Sequence, residues 1–271
     1  NINKWIYSEL LEANKKIEKN LKDYRFDEAA KNAYQFAWHS YCDWYLELSK
    51  TILFSDNEKA KAEVKKVSSY VFKQILILLH PFIPFVTEEI WLKNKFDKSG
   101  KNFLMLANWP IGSAKKDKNT KQVEKIIGII SELRSFKNEL NVGPGSFIEM
   151  SINNISKSQK SFIIDNEIIL KKLGRISAIH QNDIDKPAAT MMVSGDMFKI
   201  YFDKDVDLEL IKENLTNRQN KYQEEMNKIS QRLNNKGFVD RAPKDIVEQE
   251  KTNYNNLIND IKKISLTLES L

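Results

Sequence analysis

The 271-residue chain is 41% hydrophobic and 30% charged with only 8 glycines and 6 prolines, which excludes collagen-like and proline-rich disordered classes and leaves enough chain for a full core. A single cysteine, Cys42, excludes an intrachain disulfide and a thiolate-held zinc or iron-sulfur cluster, so a reducing cytoplasm is the expected compartment. The net charge of +6, from 43 basic and 37 acidic side chains, mildly favours a polyanionic partner.

In chain order, the opening NINKWIYSELLEANKK is already in helical rhythm and reads as a cut from something longer. Trp5, Ile6, Leu10, Ala13 and Ile17 recur at spacings that predict one helix face, and Phe26, Ala29, Ala33, Phe36, Ala37, Tyr41, Trp44 and Leu48 predict a second. A third helix is expected over 59–79. Pro81 and Pro84 then force a turn and start a short fourth helix carrying Glu88, Glu89 and Trp91. The apolar run from Val71 is interrupted by Lys73, Gln74, His80 and both prolines, so no membrane span is expected. A fifth helix over 120–140 presents Val123, Ile126, Ile127, Ile130, Leu133 and Phe136 before the turn at Gly143–Ser146. Five amphipathic helices make a bundle, placed at residues 1–142.

After Gly145 the period changes. Short β-branched and aromatic runs at 147–152, 175–179 and around 189–202, with a helix over 157–173, predict a small α+β unit at 146–206. From residue 207 onward the pattern predicts two helices. One carries Leu208, Ile211, Leu215, Tyr222, Met226, Ile229 and Leu233, interrupted by Gln219; the other carries Val247, Glu250, Tyr254, Leu257, Ile261, Ile264, Leu268 and Leu271. Each helix of about 27 residues rises roughly 40 Å, and the short turn between them predicts an antiparallel coiled-coil hairpin at 207–271. The fold class is mainly α.

The residues do not assemble a catalytic signature: there is no Gly-rich phosphate loop, HExxH or GxSxG. Glu88 and Glu89 read as first-turn acids near a helix N-terminus, His39, His80 and His180 as structural or exposed histidines, and Cys42 as a small buried hydrophobe. RNA is the better-supported partner. Tyr24 and Arg25, with Phe26, lie between two helices, where a ring and a guanidinium could stack on unpaired bases; Phe26 in the core and Arg25 as a surface ion partner is the competing reading. Arg134 and Lys137, one turn apart, could face phosphates or form an ordinary solvated face. Arg232, Lys236, Arg241 and Lys244 cluster at the expected hairpin tip and suit contact with an RNA backbone, while Phe238 suits an apolar plug of the turn.

Several stretches carry a family resemblance. DYRFDEAA at 23–30, CDWYLELSK at 42–50, HPFIPFVTEEIW at 80–91, LMLANWP at 104–110 and LRSFKNELNVGPG at 133–145 resemble the anticodon-binding helical region of class I aminoacyl-tRNA synthetases for aliphatic amino acids. RLNNKGFVDRAPKDIVEQE at 232–250 closely resembles the turn of the C-terminal coiled-coil arm of the valyl-tRNA synthetases. The resemblance covers nearly the whole chain in order, most weakly in the α+β portion. Lys137 departs from it, standing where the family usually has arginine, and Gly143 stands where proline is common.

The resemblance implies a C-terminal, tRNA-binding region that reads the anticodon and braces the elbow of tRNA(Val). A missing catalytic domain would use ATP to join valine to that tRNA, and a missing editing domain would remove mischarged product. No cofactor is expected in this region itself, since the ATP-binding motifs of the family are absent from the sequence. A cytoplasmic monomer is expected. The alternative is a stand-alone helical module that binds RNA or protein.

Overall fold

The computed structural model describes residues 1–96, 103–110, 112, 118–140, 142–184, 187, 189–193, 196–202, 207–235, 237 and 243–271. Two compact units divide the chain, Asn1–Ile127 and Gly128–Leu271.

The first unit is helical. Helix α1 (Ile2–Lys22) buries Trp5, Ile6, Leu10, Leu11 and Ile17, the face expected from their spacing. Removing one such side chain, as in Leu10→Ala, would cost about 2–5 kcal/mol in lost transfer energy and cavity. Helix α2 (Phe26–Gln35) runs without a break into an eleven-residue π-helical stretch, Phe36–Leu46, and then into α3 (Glu47–Leu53). The wider i to i+5 winding changes which side chains point inward, so the buried series runs Ala29, Ala33, Phe36, Tyr41, Tyr45 and Leu48, with Trp44 beside it. Phe26, expected on that face, is 57% exposed.

Helix α4 (Glu58–Leu79) starts where the Asn57 side chain accepts the Ala60 N–H at 3.0 Å. Buried Tyr45 crosses to α1 and donates its hydroxyl to Asn3 Oδ1 at 2.8 Å, while the Tyr41 and Ser68 hydroxyls share a 2.8 Å bond. Pro84 opens α5 (Pro84–Lys93). Glu88 is not a first-turn acid there. Its carboxylate accepts the backbone N–H of Leu104 at 3.0 Å and so ties down the 3₁₀ turn Leu104–Leu106. Helix α6 (Lys118–Glu139) follows and contributes buried Val123 and Ile126 to this unit.

In the second unit, strands β1 (Ile148–Ser151), β2 (Ile176–His180), β3 (Ala189–Val193) and β4 (Asp196–Phe202) form a mixed sheet in the order β2-β1-β4-β3. Strands β1 and β2 are parallel, and parallel neighbours need a crossover. It is supplied by α7 (Lys157–Asp165) and α8 (Glu167–Gly174), the expected single helix being divided at Asn166. Gly174 ends α8 where a Cβ would meet the side-chain ends of Leu133 and Ile176 at 3.2 Å, so a larger residue there would have to push both aside by a few tenths of an ångström.

Helices α9 (Leu208–Asn234) and α10 (Lys244–Ser270) pack along each other. Ile211 and Leu215, near the start of α9, share a cluster with Ile264, Leu268 and Leu271 at the end of α10, and Arg232 meets Glu250 nearer the turn, so the pair is antiparallel. Both polar interruptions of the seam have partners. Gln219 Nε2 donates to Ser265 Oγ at 2.7 Å, and Glu250 accepts from Arg232 at 3.1 Å. The base of the pair closes on Phe136, Leu140, Val142 and Phe202, with the Phe136 and Phe202 rings stacked at 6.1 Å. Among the described residues no helix is long and apolar enough to cross a membrane.

Candidate nucleic-acid interface

The corner between α1 and α2 is built from the backbone outward. Helix α1 ends in a Schellman turn: Arg25 N–H bonds the Asn20 carbonyl at 2.8 Å and Tyr24 N–H bonds that of Leu21 at 3.2 Å. Tyr24 occupies the left-handed position of this turn at φ +57°, where glycine fits without steric cost. Lys95 holds the same conformation after α5, at φ +52°.

The turn throws Tyr24 outward, 82% exposed, with its ring edge-on to Phe26 at 6.3 Å and 83°. Arg25, between them in sequence, has a side chain that is 62% exposed and makes a 3.8 Å ion pair to Glu28. Such a surface pair is weak, so the guanidinium is available to other partners. Two upturned rings and a guanidinium can stack on unpaired bases. The flanking carboxylates of exposed Asp23 and Asp27 make the spot a poor phosphate site.

The aromatic surface extends beyond the corner. Phe26, Ala30, Tyr34 and Trp38 follow at steps of four along α2 and the start of the π stretch, and Tyr34 and Trp38 stack in parallel at 6.3 Å and 5°. Both are more than half exposed. Sequence reasoning missed this row because it assigned the neighbouring apolar positions to one core face. The signal was the repeat of aromatic side chains four apart, offset from the buried Ala29–Ala33 series. Cys42, expected inside, is also exposed, and with Tyr34, Trp38, Ile83 and Val86 it lines an apolar groove of about 330 Å³.

The second candidate pair separates. Arg134 is exposed on α6, but Lys137 is only 3% exposed. Its ammonium donates to the carbonyls of Ser146 at 2.8 Å and Gly174 at 3.1 Å, with that of Arg175 at 3.5 Å. Lys137 therefore sits at the carbonyl end of α8, where the helix dipole favours a cation. The expected phosphate-facing placement does not hold: its side chain is enclosed by backbone oxygens from the turn before β1 and from the end of α8. Burial first, then the charges of Arg175 and Arg134, push its pKa down to about 8.

At the far end of the helical hairpin, Arg232 is exposed and bonded to Glu250 at 3.1 Å. Lys236, Arg241 and Phe238 lie outside the described residues, as does the side chain of Lys244, whose backbone opens α10. The three histidines have ordinary partners: His80 bonds Thr87 at 2.8 Å, His180 bonds Glu149 at 2.7 Å, and His39 lies 3.6 Å from Asp43. Among the described residues no group of three or more His, Cys, Asp or Glu is placed to hold a metal ion.

Comparison with known proteins points the same way as the corner chemistry. Residues 3–152 match the family model for the anticodon-binding domain of tRNA ligase, and residues 207–271 match that for the valyl tRNA synthetase tRNA binding arm. A valine--tRNA ligase from Pelagibacter ubique (strain HTCC1062) is 76% identical over 271 residues, all of this chain and 31% of the relative. One from Bartonella quintana (strain Toulouse) is 34% identical over 272 residues, covering 100% of this chain and 30% of the relative. One from Brucella suis biovar 1 (strain 1330) is 32% identical over 252 residues, covering 92% and 28%. The chain thus spans less than a third of the length of these relatives.

Proposed function

The chain belongs to the valyl-tRNA synthetase family, with its anticodon-binding domain and tRNA-binding arm, and we propose that it grips tRNA(Val) for an enzyme that attaches valine at the expense of ATP. The observation that carries this reading is the succession of the two family matches in one chain, with an exposed Tyr24–Arg25–Phe26 corner inside the first. In this reading residues 1–142 receive the anticodon, 146–206 connect, and 207–271 brace the tRNA elbow. Tyr24, Arg25 and Arg134 are the RNA-facing groups of the first part; Arg232, Lys236, Arg241 and Lys244 are those of the arm. Activation of valine, transfer to tRNA and editing belong to parts of the parent enzyme outside this sequence, so the chain contributes binding and positioning energy. The parent is proposed to act as a cytoplasmic monomer.

The chain should bind tRNA(Val) with an affinity that falls as salt rises, because basic contacts to phosphates release counterions. Filter binding across a salt series tests this. Changing Arg241 and Lys244 to alanine should weaken cognate and anticodon-swapped tRNA by similar factors and make the salt dependence shallower, since phosphate contacts carry no sequence. An unchanged slope, or a loss confined to the cognate anticodon, contradicts that role for the arm. A second reading, a protein-docking module, is favoured by the wholly apolar lining of the groove at Trp38 and Cys42. It predicts no tRNA binding by the chain.

A further inference from the structure

The last turn of α6 is where the helical hairpin meets the part of the chain that carries the sheet, and two cations close it from different sides. Lys137, on that turn, directs its ammonium to the carbonyls of Ser146 and Gly174. The carbonyl of Glu139 is one of the terminal four that a helix leaves without an intrahelical partner, and Arg218 of α9 meets it instead, donating Nη1 at 3.0 Å. We propose that this bond sets the direction in which the hairpin leaves its base, which makes Arg218 a positioning residue for the tip. Its consequence for tRNA rests on the tRNA-binding reading; its consequence for the geometry of the arm does not.

Local sequence prepares the side chain for that role. Positions 211, 215, 218 and 222 recur at steps of four, three and four, so Arg218 shares one face of α9 with buried Ile211 and Leu215. Tyr222, one turn on, steers it: Arg218 Nε donates to the Tyr222 hydroxyl at 2.9 Å, and the guanidinium carbon lies 5.2 Å from the ring centroid. Two donors of the planar fork are thereby engaged, Nε within α9 and Nη1 across to α6. The charge also faces the negative end of the α6 dipole, where a cation is favoured.

Apolar packing alone leaves the direction open. Leu140, Val142, Ile211, Leu215 and Ile264 hold the base together, but burial of apolar surface is non-directional. That packing is interrupted by a cleft of about 240 Å³, lined by Glu139, Arg218, Tyr222, Asp260 and Thr267 as well as by the apolar side chains. Atoms that face the cleft have no packing partner on that side, so a change of tilt costs them little contact. The Arg218 bond does depend on angle, and it crosses from arm to body at this edge. Roughly 24 Å of α9 lies beyond Arg218, so a tilt of about 15° would carry the tip by roughly 6 Å. A charged hydrogen bond to a phosphate reaches only about 2.7–2.9 Å.

Spin-label distance measurement on the full chain tests the bond without RNA. Cys42 is the only cysteine, so Cys42→Ser with Ser161→Cys on α7 and Lys228→Cys on α9 puts one label on the body and one on the arm, both at exposed positions. In this background the distance distribution should be narrow and single-peaked. Arg218→Met, which keeps an unbranched stem over the cleft and removes the donors, should broaden or shift it by roughly 4 Å. Tyr222→Phe, which removes only the hydroxyl that steers the guanidinium, should move it the same way by less. A distribution unchanged in both variants refutes the proposal, whatever the tRNA result. With tRNA(Val), Arg218→Met should weaken binding as much as changing Arg241 and Lys244 to alanine, and combining the changes should add less than about a further twofold. Losses that multiply would mean that Arg218 meets RNA itself, which overturns its positioning role. A distribution that shifts as expected, with no tRNA binding by any form, would uphold the joint and dismiss the tRNA reading.

Discussion

The α1–α2 corner and the C-terminal end of α6 each offer a cation to a would-be RNA, and their surroundings give those cations opposite uses. At the corner, Arg25 stands between the exposed Tyr24 and Phe26 in sequence and makes a 3.8 Å ion pair. At the end of α6, Lys137 is enclosed, with its ammonium shared among carbonyls of Ser146, Gly174 and Arg175. A surface cation tied to one carboxylate contributes little to folding and can be spent on a ligand, whereas a buried cation that satisfies backbone oxygens belongs to the fold. The contrast lies in the acceptors that surround each charge.

Deleting each cation in turn separates the two roles. Lys137→Ala should lower stability by about 2–4 kcal/mol, because it opens a cavity and leaves carbonyls at Ser146 and Gly174 without that donor. Arg25→Ala should change stability by less than about 0.5 kcal/mol. Denaturant melts of the two variants decide the matter, and equal midpoints would erase the distinction.

A titration sharpens it further. Lys137 has a pKa of about 8 in the folded chain, below the ordinary lysine value it regains on unfolding. Below pH 8 both states hold the proton and pH has no effect through this group. Between about 8 and 10.4 the unfolded chain holds a proton that the folded chain has released, so stability rises with pH, by at most about 1.4 kcal/mol per unit. The wild-type curve should therefore rise relative to that of Lys137→Met in this window. Parallel curves would mean that the ammonium is not buried in solution.

The smallest expected effect concerns the backbone at the corner. Tyr24→Gly should stabilise the chain by roughly 1 kcal/mol, because glycine adopts φ +57° without the steric cost a side chain incurs. It should weaken tRNA binding in the same protein. Loss of stability would show that the tyrosine ring supports the corner rather than standing free of it.

How far these features could be read from sequence follows from the range of the forces involved. Helical faces such as Trp5–Leu10–Ile17 and the seam from Val247 to Leu271 are local periodicities, and they emerge where expected. Even the defects at Gln219 and Glu250 were visible as polar residues in an apolar series, although their partners Ser265 and Arg232 were not. The π winding at Phe36–Leu46 was hidden, because apolar steps of four and five blend into a helical pattern. Cys42, expected inside, lies within that stretch and is exposed, while Phe26 is exposed because it opens α2 at the corner. Lys137 could not be placed from its neighbours, since Gly174 lies 37 residues along the chain.

The corner rings are proposed to act on RNA, whereas the enclosed lysine acts on the fold. To test this division, tRNA(Val) affinity and the melting midpoint are measured together for Tyr24→Ala/Phe26→Ala, in which both exposed rings are removed and Arg25 is kept. The account predicts a loss of affinity of at least tenfold, the yield of one to two stacked bases, with a midpoint close to that of the wild type. Wild-type affinity in a variant that melts normally would contradict it.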